Sequence, residues 1–321
     1  MDTRAIQFAR TGGPEVLEEV RLAVPPPGPG EALVRHRAIG VNFIDTYHRS
    51  GVYPAALPCV PGVEAAGVVE AVGAGVTHVA PGDRVVYFCS SPGAYCDART
   101  LEARWLVKLP DAIGDEEAAA GWLKACTTEF LVERCAKVQP GDAVVVTAAA
   151  GGMGLLLCRW LAEVGATVIA VTSSPEKGAM AAAAGAHHLL GYADMPARVK
   201  ELTGGRGADV VFDGVGKATF DAALDSLRRR GLLVSFGNAS GKVGPVDFGI
   251  LAAKGSLFTT RPTLFDYYAT PEDFALGTAR VFAMWPKLAV AAGRRYPLAE
   301  AAQCHRDLES RATTGSSLLL P

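Results

Sequence analysis

Sixteen residues between Asp142 and Arg159 carry no charge, and no other feature constrains the fold as strongly. They read Ala143-Val144-Val145-Val146-Thr147-Ala148-Ala149-Ala150-Gly151-Gly152-Met153-Gly154-Leu155-Leu156-Leu157-Cys158. A membrane span needs about 20 apolar residues, and glycines interrupt this run. It reads better as a buried strand over 143–147, a tight turn, and a helix over 152–164. Ala149, Gly151 and Gly154 fall on the three small-residue positions of G-x-G-x-x-G, with alanine in the first. Small residues there let the chain turn, let a pyrophosphate approach the backbone, and let the helix pack on the sheet. The helix start then offers unpaired N–H groups and a partial positive charge to an anion.

The next strand, over 167–171, indicates which dinucleotide is expected. An NAD site places Asp or Glu near the end of this strand to hold the ribose hydroxyls. Here the strand runs into Thr172-Ser173-Ser174-Pro175-Glu176-Lys177, with hydroxyls and then a lysine. Hydroxyl donors and an ammonium suit a 2′-phosphate, so NADPH is favoured over NADH. Glu176 weighs the other way, and the same serines also suit a helix N-cap.

The alternation continues downstream. Helices are expected over 175–184, 193–202 and 220–229, and strands over 188–190, 210–213 and 232–236. Apolar strands alternating with helices indicate a doubly wound parallel sheet covered on both faces. The Arg228-Arg229-Arg230 run is expected to cap a helix C-terminus. The first hundred residues differ. Strands are expected over 32–38, 63–72 and 84–88, separated by proline and glycine turns, which suggests a small barrel or sandwich. Residues 316–320 read as a strand returning to that first domain. Length alone, 321 residues, favours two domains.

Composition narrows the function. A formal net charge of −2 gives no general attraction for nucleic acid or acidic membranes. Seven cysteines, an odd number without C-x-x-C spacing, argue against a disulfide framework or a zinc ribbon. The six histidines show no zinc-ligand spacing. No apolar leader precedes the first strand, so a cytoplasmic location is expected.

Several strings then occur in order: Ala38-Ile39-Gly40-Val41-Asn42-Phe43-Ile44-Asp45-Thr46-Tyr47, Pro61-Gly62-Val63-Glu64-Ala65-Ala66-Gly67, the glycine turn, Val234-Ser235-Phe236-Gly237-Asn238-Ala239-Ser240-Gly241, and Glu309-Ser310-Arg311-Ala312-Thr313-Thr314-Gly315-Ser316-Ser317. Together they resemble the NADPH:quinone oxidoreductases, the zeta-crystallin-like, zinc-free branch of the medium-chain dehydrogenase/reductase superfamily. The resemblance implies a Rossmann domain inserted into a chaperonin-10-like β-barrel catalytic domain. The implied segments are 1–125 and 263–321 for the catalytic domain and 126–262 for the nucleotide domain. It also implies a homodimer, with residues 255–262 as a strand that could pair across it. Carried over by position, Asn42 and Tyr47 become the catalytic pair beside the nicotinamide. Phe43, Thr46, Phe130, Gly151, Gly152, Met153, Ser173, Ser174, Lys177, Tyr192, Asn238, Ala239, Ser240, Gly241, Leu264 and Arg311 would complete the cofactor site. Phe43, Tyr53 and Phe130 would line the substrate pocket. Zinc dehydrogenases of the superfamily carry a cysteine ligand early and a Gly-His-Glu motif. Asn42 and Gly62-Val63-Glu64 stand in those strings, so no metal is expected.

The reaction so implied is zinc-independent reduction of a quinone by hydride from nicotinamide C4. The alternatives are an NADPH-dependent reductase of α,β-unsaturated carbonyls (enals or enones), and a non-catalytic NADPH-binding or RNA-binding protein of the zeta-crystallin kind. Near-neutral charge weighs against RNA.

Overall fold

The computed structural model describes residues 1–310 and 314–321. The chain forms two compact units, one built from Met1–Leu123 with Val290–Pro321, the other from Lys124–Ala289.

The strand Glu31–Gly40 organises the first unit. It pairs antiparallel with Glu64–Val72, Ala98–Glu102 and Ser316–Leu320. Register shifts between Leu33 and Val34 and between His36 and Ala38 act as bulges. Bulges bend a strand and strengthen its twist, which lets this one serve three partners. Arg84–Phe88 and Val107–Lys108 extend the sheet on one side. On the other, Ala292–Pro297 runs parallel to Ser316–Leu320. The result is a curved, mostly antiparallel sheet, and the C-terminal strand returns to this unit as expected. Val34, Ala38, Ile39, Val85, Val86, Tyr87 and Phe88 are fully buried in it.

His36 is buried in the same sheet. Its Nδ1 lies 2.8 Å from the Cys96 carbonyl, which can only accept, so Nδ1 carries the proton. Nε2 then accepts from the Tyr87 hydroxyl at 2.9 Å. Burial pushes the imidazole down to about 4, so it is neutral at pH 7.

The second unit is a six-stranded, all-parallel sheet. Its order is His188–Leu190, Thr167–Val171, Ala143–Val146, Ala208–Asp213, Leu227–Ser235, Phe258–Thr260. In sequence terms this is 3-2-1-4-5-6, the doubly wound order expected. Val144, Val145 and Val146 are fully buried, as strands covered on both faces require. The chain order reverses between Ala143–Val146 and Ala208–Asp213, and ligands of such sheets bind at the carboxyl ends beside that point.

Two expectations need correction. The helix expected over 220–229 ends at Asp225, and the strand Leu227–Ser235 begins two residues later. Leu227 pairs with Ala208, and Arg228 bonds the Asp209 carboxylate at 2.5 Å. The arginine run therefore lies in a strand, because pairing with a neighbour outweighs local helix propensity. The second unit also runs past residue 262, through Ala289. Its last helix, Pro271–Leu288, buries Val281, Met284, Trp285 and Leu288, and Arg280 pairs with Glu133 at 2.8 Å. A helix whose apolar face is buried within one unit belongs to that unit, whatever the spacing suggests.

All seven cysteines are free thiols, and all but Cys135 are buried. They pack as small apolar side chains. No described helix is long and apolar enough to cross a membrane.

Candidate functional site

The phosphate-binding turn is built by backbone. Ala143–Val146 leads through Thr147 to Ala148, which takes a left-handed φ of 48°. The helix Gly152–Val164 then begins with Gly151 as its N-cap, and no side chain caps it. Its first N–H groups are therefore offered outward at the positive end of the helix dipole. Gly151 is exposed, and Gly152 and Met153 are half-buried. A Cβ on Gly154 would run into the Ala148 carbonyl and the Ala149 backbone, so only glycine permits this closeness. A negatively charged group suits this cradle, and a dinucleotide pyrophosphate fits the donors present.

The next strand ends in hydroxyls. Thr172 Oγ1 donates to the Ser174 carbonyl at 3.2 Å. Ser174 Oγ accepts the Lys177 N–H at 3.3 Å and caps the helix Pro175–Ala183. Such a cap is worth about 1 kcal/mol. Ser173 is exposed and Lys177 half-buried. Ser174 also bonds the exposed Glu176 carboxyl, which lowers that group's pKa. Tyr192 Oη accepts the Ala148 N–H at 2.9 Å, which ties the region after the third strand to the glycine turn. The structure thus brings together Gly151, Gly152, Met153 and Tyr192 at one turn, with Ser173, Ser174 and Lys177 at the end of the adjoining strand.

On the other side of the switch point, Asp213 is fully buried and gathers four donors. Thr147 and Thr219 hydroxyls reach its Oδ1 at 2.7 Å each, and the Val215 and Gly216 N–H groups complete the set. The residues 238–241 are positioned nearby in the chain. Ser240 Oγ accepts from Ala218 N–H at 2.9 Å and donates to the Val215 carbonyl at 2.8 Å. The Asn238 amide oxygen faces Arg261 at 2.9 Å, and its nitrogen the Gly237 carbonyl at 3.1 Å. Ala239 is half-buried and Gly241 exposed. Leu264 is buried at the start of the short helix Leu264–Tyr267. Phe130 is 1% exposed, begins a π-helical turn over Phe130–Cys135, and stacks on Tyr267 at 4.5 Å. Arg311 lies outside the described residues.

In the first unit, Asn42 is the N-cap of the helix Phe43–Ser50. Its backbone N–H donates to Asp45 Oδ2 at 2.8 Å, the carboxylate half of a capping box. Its Nδ2 donates to Glu64 Oε2 at 2.8 Å and faces the Gly40 carbonyl at 3.5 Å. Glu64 Oε1 takes the Leu123 N–H at 2.5 Å. Glu64 is therefore a buried carboxylate that accepts from the Asn42 amide and from a backbone N–H. Among the described residues, no group of three or more His, Cys, Asp or Glu is arranged to hold a metal ion.

The same helix presents a row of half-buried rings. Phe43 and Tyr47 lie 6.2 Å apart, and Tyr47 and Tyr53 meet edge-to-face at 5.2 Å. The Tyr53 N–H donates to the Tyr47 carbonyl at 3.0 Å, which fixes the loop after the helix. Thr46 is buried, and its hydroxyl donates to the Phe43 carbonyl at 2.8 Å. Asn42, Phe43 and Tyr47 share the start of this helix, and Tyr53 joins them from the loop that follows it. Asp45 is not among the expected site residues, although its place three residues after Asn42 is capping-box spacing. Asp213 and its threonine partners carry no such local signal, because Thr147 and Asp213 stand 66 residues apart.

Comparison with known proteins gives the arrangement its context. Residues 28–111 match the alcohol dehydrogenase GroES-like domain, and residues 152–269 match the zinc-binding dehydrogenase family. The chain is 47% identical to the quinone oxidoreductase of Pseudomonas aeruginosa, with 99% of each chain covered. It is 42% identical to a 2-haloacrylate reductase of a Burkholderia species, with 97% of each covered. Among solved structures, it superposes on Escherichia coli quinone oxidoreductase complexed with NADPH with a TM-score of 0.97, at 44% identity, covering 99% of this chain and 100% of that one. The mostly antiparallel sheet of the first unit, the parallel sheet and glycine turn of the second, and these likenesses agree: the chain belongs to the quinone oxidoreductase family of the medium-chain dehydrogenase/reductase superfamily.

Proposed function

We propose that this protein is an NADPH-dependent quinone reductase that works without a metal. The observation that carries the reading is the uncapped helix start after the glycine turn, flanked by hydroxyls and Lys177 where an NAD site would hold a carboxylate. Gly151, Gly152 and Met153 offer backbone donors to the pyrophosphate. Ser173, Ser174, Lys177 and Tyr192 would hold the 2′-phosphate. When bound, NADPH supplies a hydride from nicotinamide C4.

A quinone is already electrophilic and gains aromaticity on reduction, so positioning supplies most of what catalysis needs. The half-buried faces of Phe43, Tyr47 and Tyr53 suit a flat ring and exclude water from it. Asn42 has its amide N–H groups directed at Glu64 and the Gly40 carbonyl, so it shapes the site and does not donate to the acceptor. Proton delivery then falls to the Tyr47 hydroxyl or to a water beside it, and the Tyr47 hydroxyl is the reading taken here. The remaining cofactor contacts fall to Thr46, Asn238, Ala239, Ser240, Gly241, Leu264 and Arg311. Phe130, stacked on Tyr267, acts by packing.

The edge strand Phe258–Thr260 pairs on one side, with Leu227–Ser235, and Phe258 is 60% exposed. An unprotected edge with an exposed phenyl ring suits pairing with a second copy, so the protein acts as a homodimer. Seven free thiols suit the reducing cytoplasm.

The test is turnover of a simple quinone and of an enone with NADPH and NADH. The expected result is quinone reduction with a preference for NADPH. Tyr47→Phe should lower quinone kcat about 100-fold if its hydroxyl delivers the proton. Unchanged turnover removes Tyr47 from that role. A second reading, reduction of an activated alkene, has the likeness to the 2-haloacrylate reductase in its favour, and faster enone turnover would select it.

A further inference from the structure

An unbroken file of hydrogen bonds crosses the interior of the first unit, and its directions are fixed by chemistry. Arg49 is 2% exposed and pairs with Glu309, its Nη2 lying 2.6 Å from Oε1. Its Nη1 sits 3.0 Å from His305 Nδ1, and a guanidinium can only donate, so Nδ1 accepts. Nε2 of a neutral His305 then carries the proton and faces Tyr95 Oη at 2.9 Å. Tyr95 in turn donates to Asp45 Oδ2 at 3.0 Å. Asp45 Oδ2 is the oxygen that also accepts the Asn42 N–H. Every member from Asp45 to His305 is fully buried. Burial, then the charge of Arg49, pushes His305 down to about 3, so the file keeps one polarity across the working pH range.

Such a file is more than the core needs. A buried carboxylate at an N-cap is satisfied locally by backbone donors. Here it accepts, besides the Asn42 N–H, the hydroxyl of Tyr95, which His305 holds in turn, and both rings are distant in sequence from the helix that Asp45 caps. Half-satisfied buried networks are costly, so each link constrains the next.

The geometry points to Tyr95 and His305 as positioning residues for the reductase site: through Asp45 they hold Asn42 and the first turn of Phe43–Ser50, and hence Tyr47, in register. This role rests on the reading of Asn42 and Tyr47 given above. It is independent of the proton delivered at Tyr47, because the file ends on a backbone N–H and moves no proton.

The test uses the full chain with two kinds of readout. Tyr95→Phe removes one O–H and keeps the ring. In ligand-free protein, amide hydrogen exchange at Asn42 should accelerate at least tenfold, with the strands of the sheet unchanged. With NADPH and quinone, kcat should fall about tenfold while the KM for NADPH stays within about threefold. His305→Leu should do the same. His305→Gln, whose amide can accept from Arg49 and donate to Tyr95, should restore most of kcat and of the protection. This pair decides the matter if Tyr95→Phe does not fold. Exchange that rises with kcat unchanged would show a purely structural network and overturn the role. So would a kcat loss with no change in exchange, because the effect would not pass through Asp45. A wild-type chain that reduced no quinone would overturn the underlying functional reading, and this role with it, while the exchange data would still report whether the file holds Asn42.

Discussion

The glycine turn and the Asn42 region solve the same problem by opposite means. Both must present polar groups at a fixed place beside an exposed surface. The turn uses backbone: a left-handed Ala148, an uncapped helix start and small residues within a dozen positions of one another. The Asn42 region uses side chains, with Glu64, Asp45, Tyr95 and His305 brought from four separate parts of the chain. A backbone-built site fails when bulk is added. A side-chain-built site fails when a donor or acceptor is removed.

The sharpest way to break the contrast is to add bulk at the turn. Gly154→Ala places a Cβ against the Ala148 and Ala149 backbone, where no side chain can swing away. Overpacking of this kind costs roughly 1–3 kcal/mol. NADPH affinity, followed by fluorescence titration, should fall on the order of 10- to 100-fold. A Kd within twofold of wild type would mean that the turn is more compliant than its contacts allow.

A smaller effect separates charge from shape in the same region. Lys177→Ala leaves the backbone cap intact, since Ser174 accepts the Lys177 N–H and not its side chain. Loss of a charge-assisted contact should weaken NADPH about tenfold and leave NADH nearly unchanged. Equal weakening of both nucleotides would place Lys177 away from the 2′-phosphate.

The two units should also differ in acid, by an effect that is absent at pH 7 and grows as pH falls. His36 and His305 sit at about 4 and about 3 in the folded first unit, both depressed first by burial, against 6.5 when unfolded. Between 6.5 and those values the unfolded chain binds more protons, so stability is full above pH 6.5 and declines as pH falls. The slope is about 1.4 kcal/mol per pH unit for each histidine. In the second unit, burial would raise Asp209, but its bonds to Arg206 and Arg228 prevail and push it down to about 2 from 3.8. Its contribution is present above pH 3.8 and lost as pH falls through 2. Urea unfolding at pH 7.5 and pH 5, read by hydrogen exchange in each unit, should show the first unit softening and the second holding. Equal softening would mean that the buried histidines are not held neutral.

Much of this was legible in the residues. The uncharged run with its three small positions gave the parallel sheet, the turn and the helix Gly152–Val164, because burial on both faces demands apolar strands and close packing demands glycine. The hydroxyl-rich strand end was legible for the same local reason. Reading failed where distant strands set the outcome. Leu227 became strand because Ala208 was there to pair with it, and the nucleotide unit kept the helix Pro271–Leu288 because its apolar face is buried within that unit.

What the sequence determined by itself is therefore the part of the molecule whose cause is local: periodicity, turn chemistry, and the serine cap before Pro175. What only the tertiary structure decided is which buried polar groups meet. Nothing in the neighbourhood of Tyr95 or His305 announces a partner, because a hydrogen bond between residues 210 positions apart is specified by how the helix Ala301–Glu309 packs in the folded unit and not by the residues on either side.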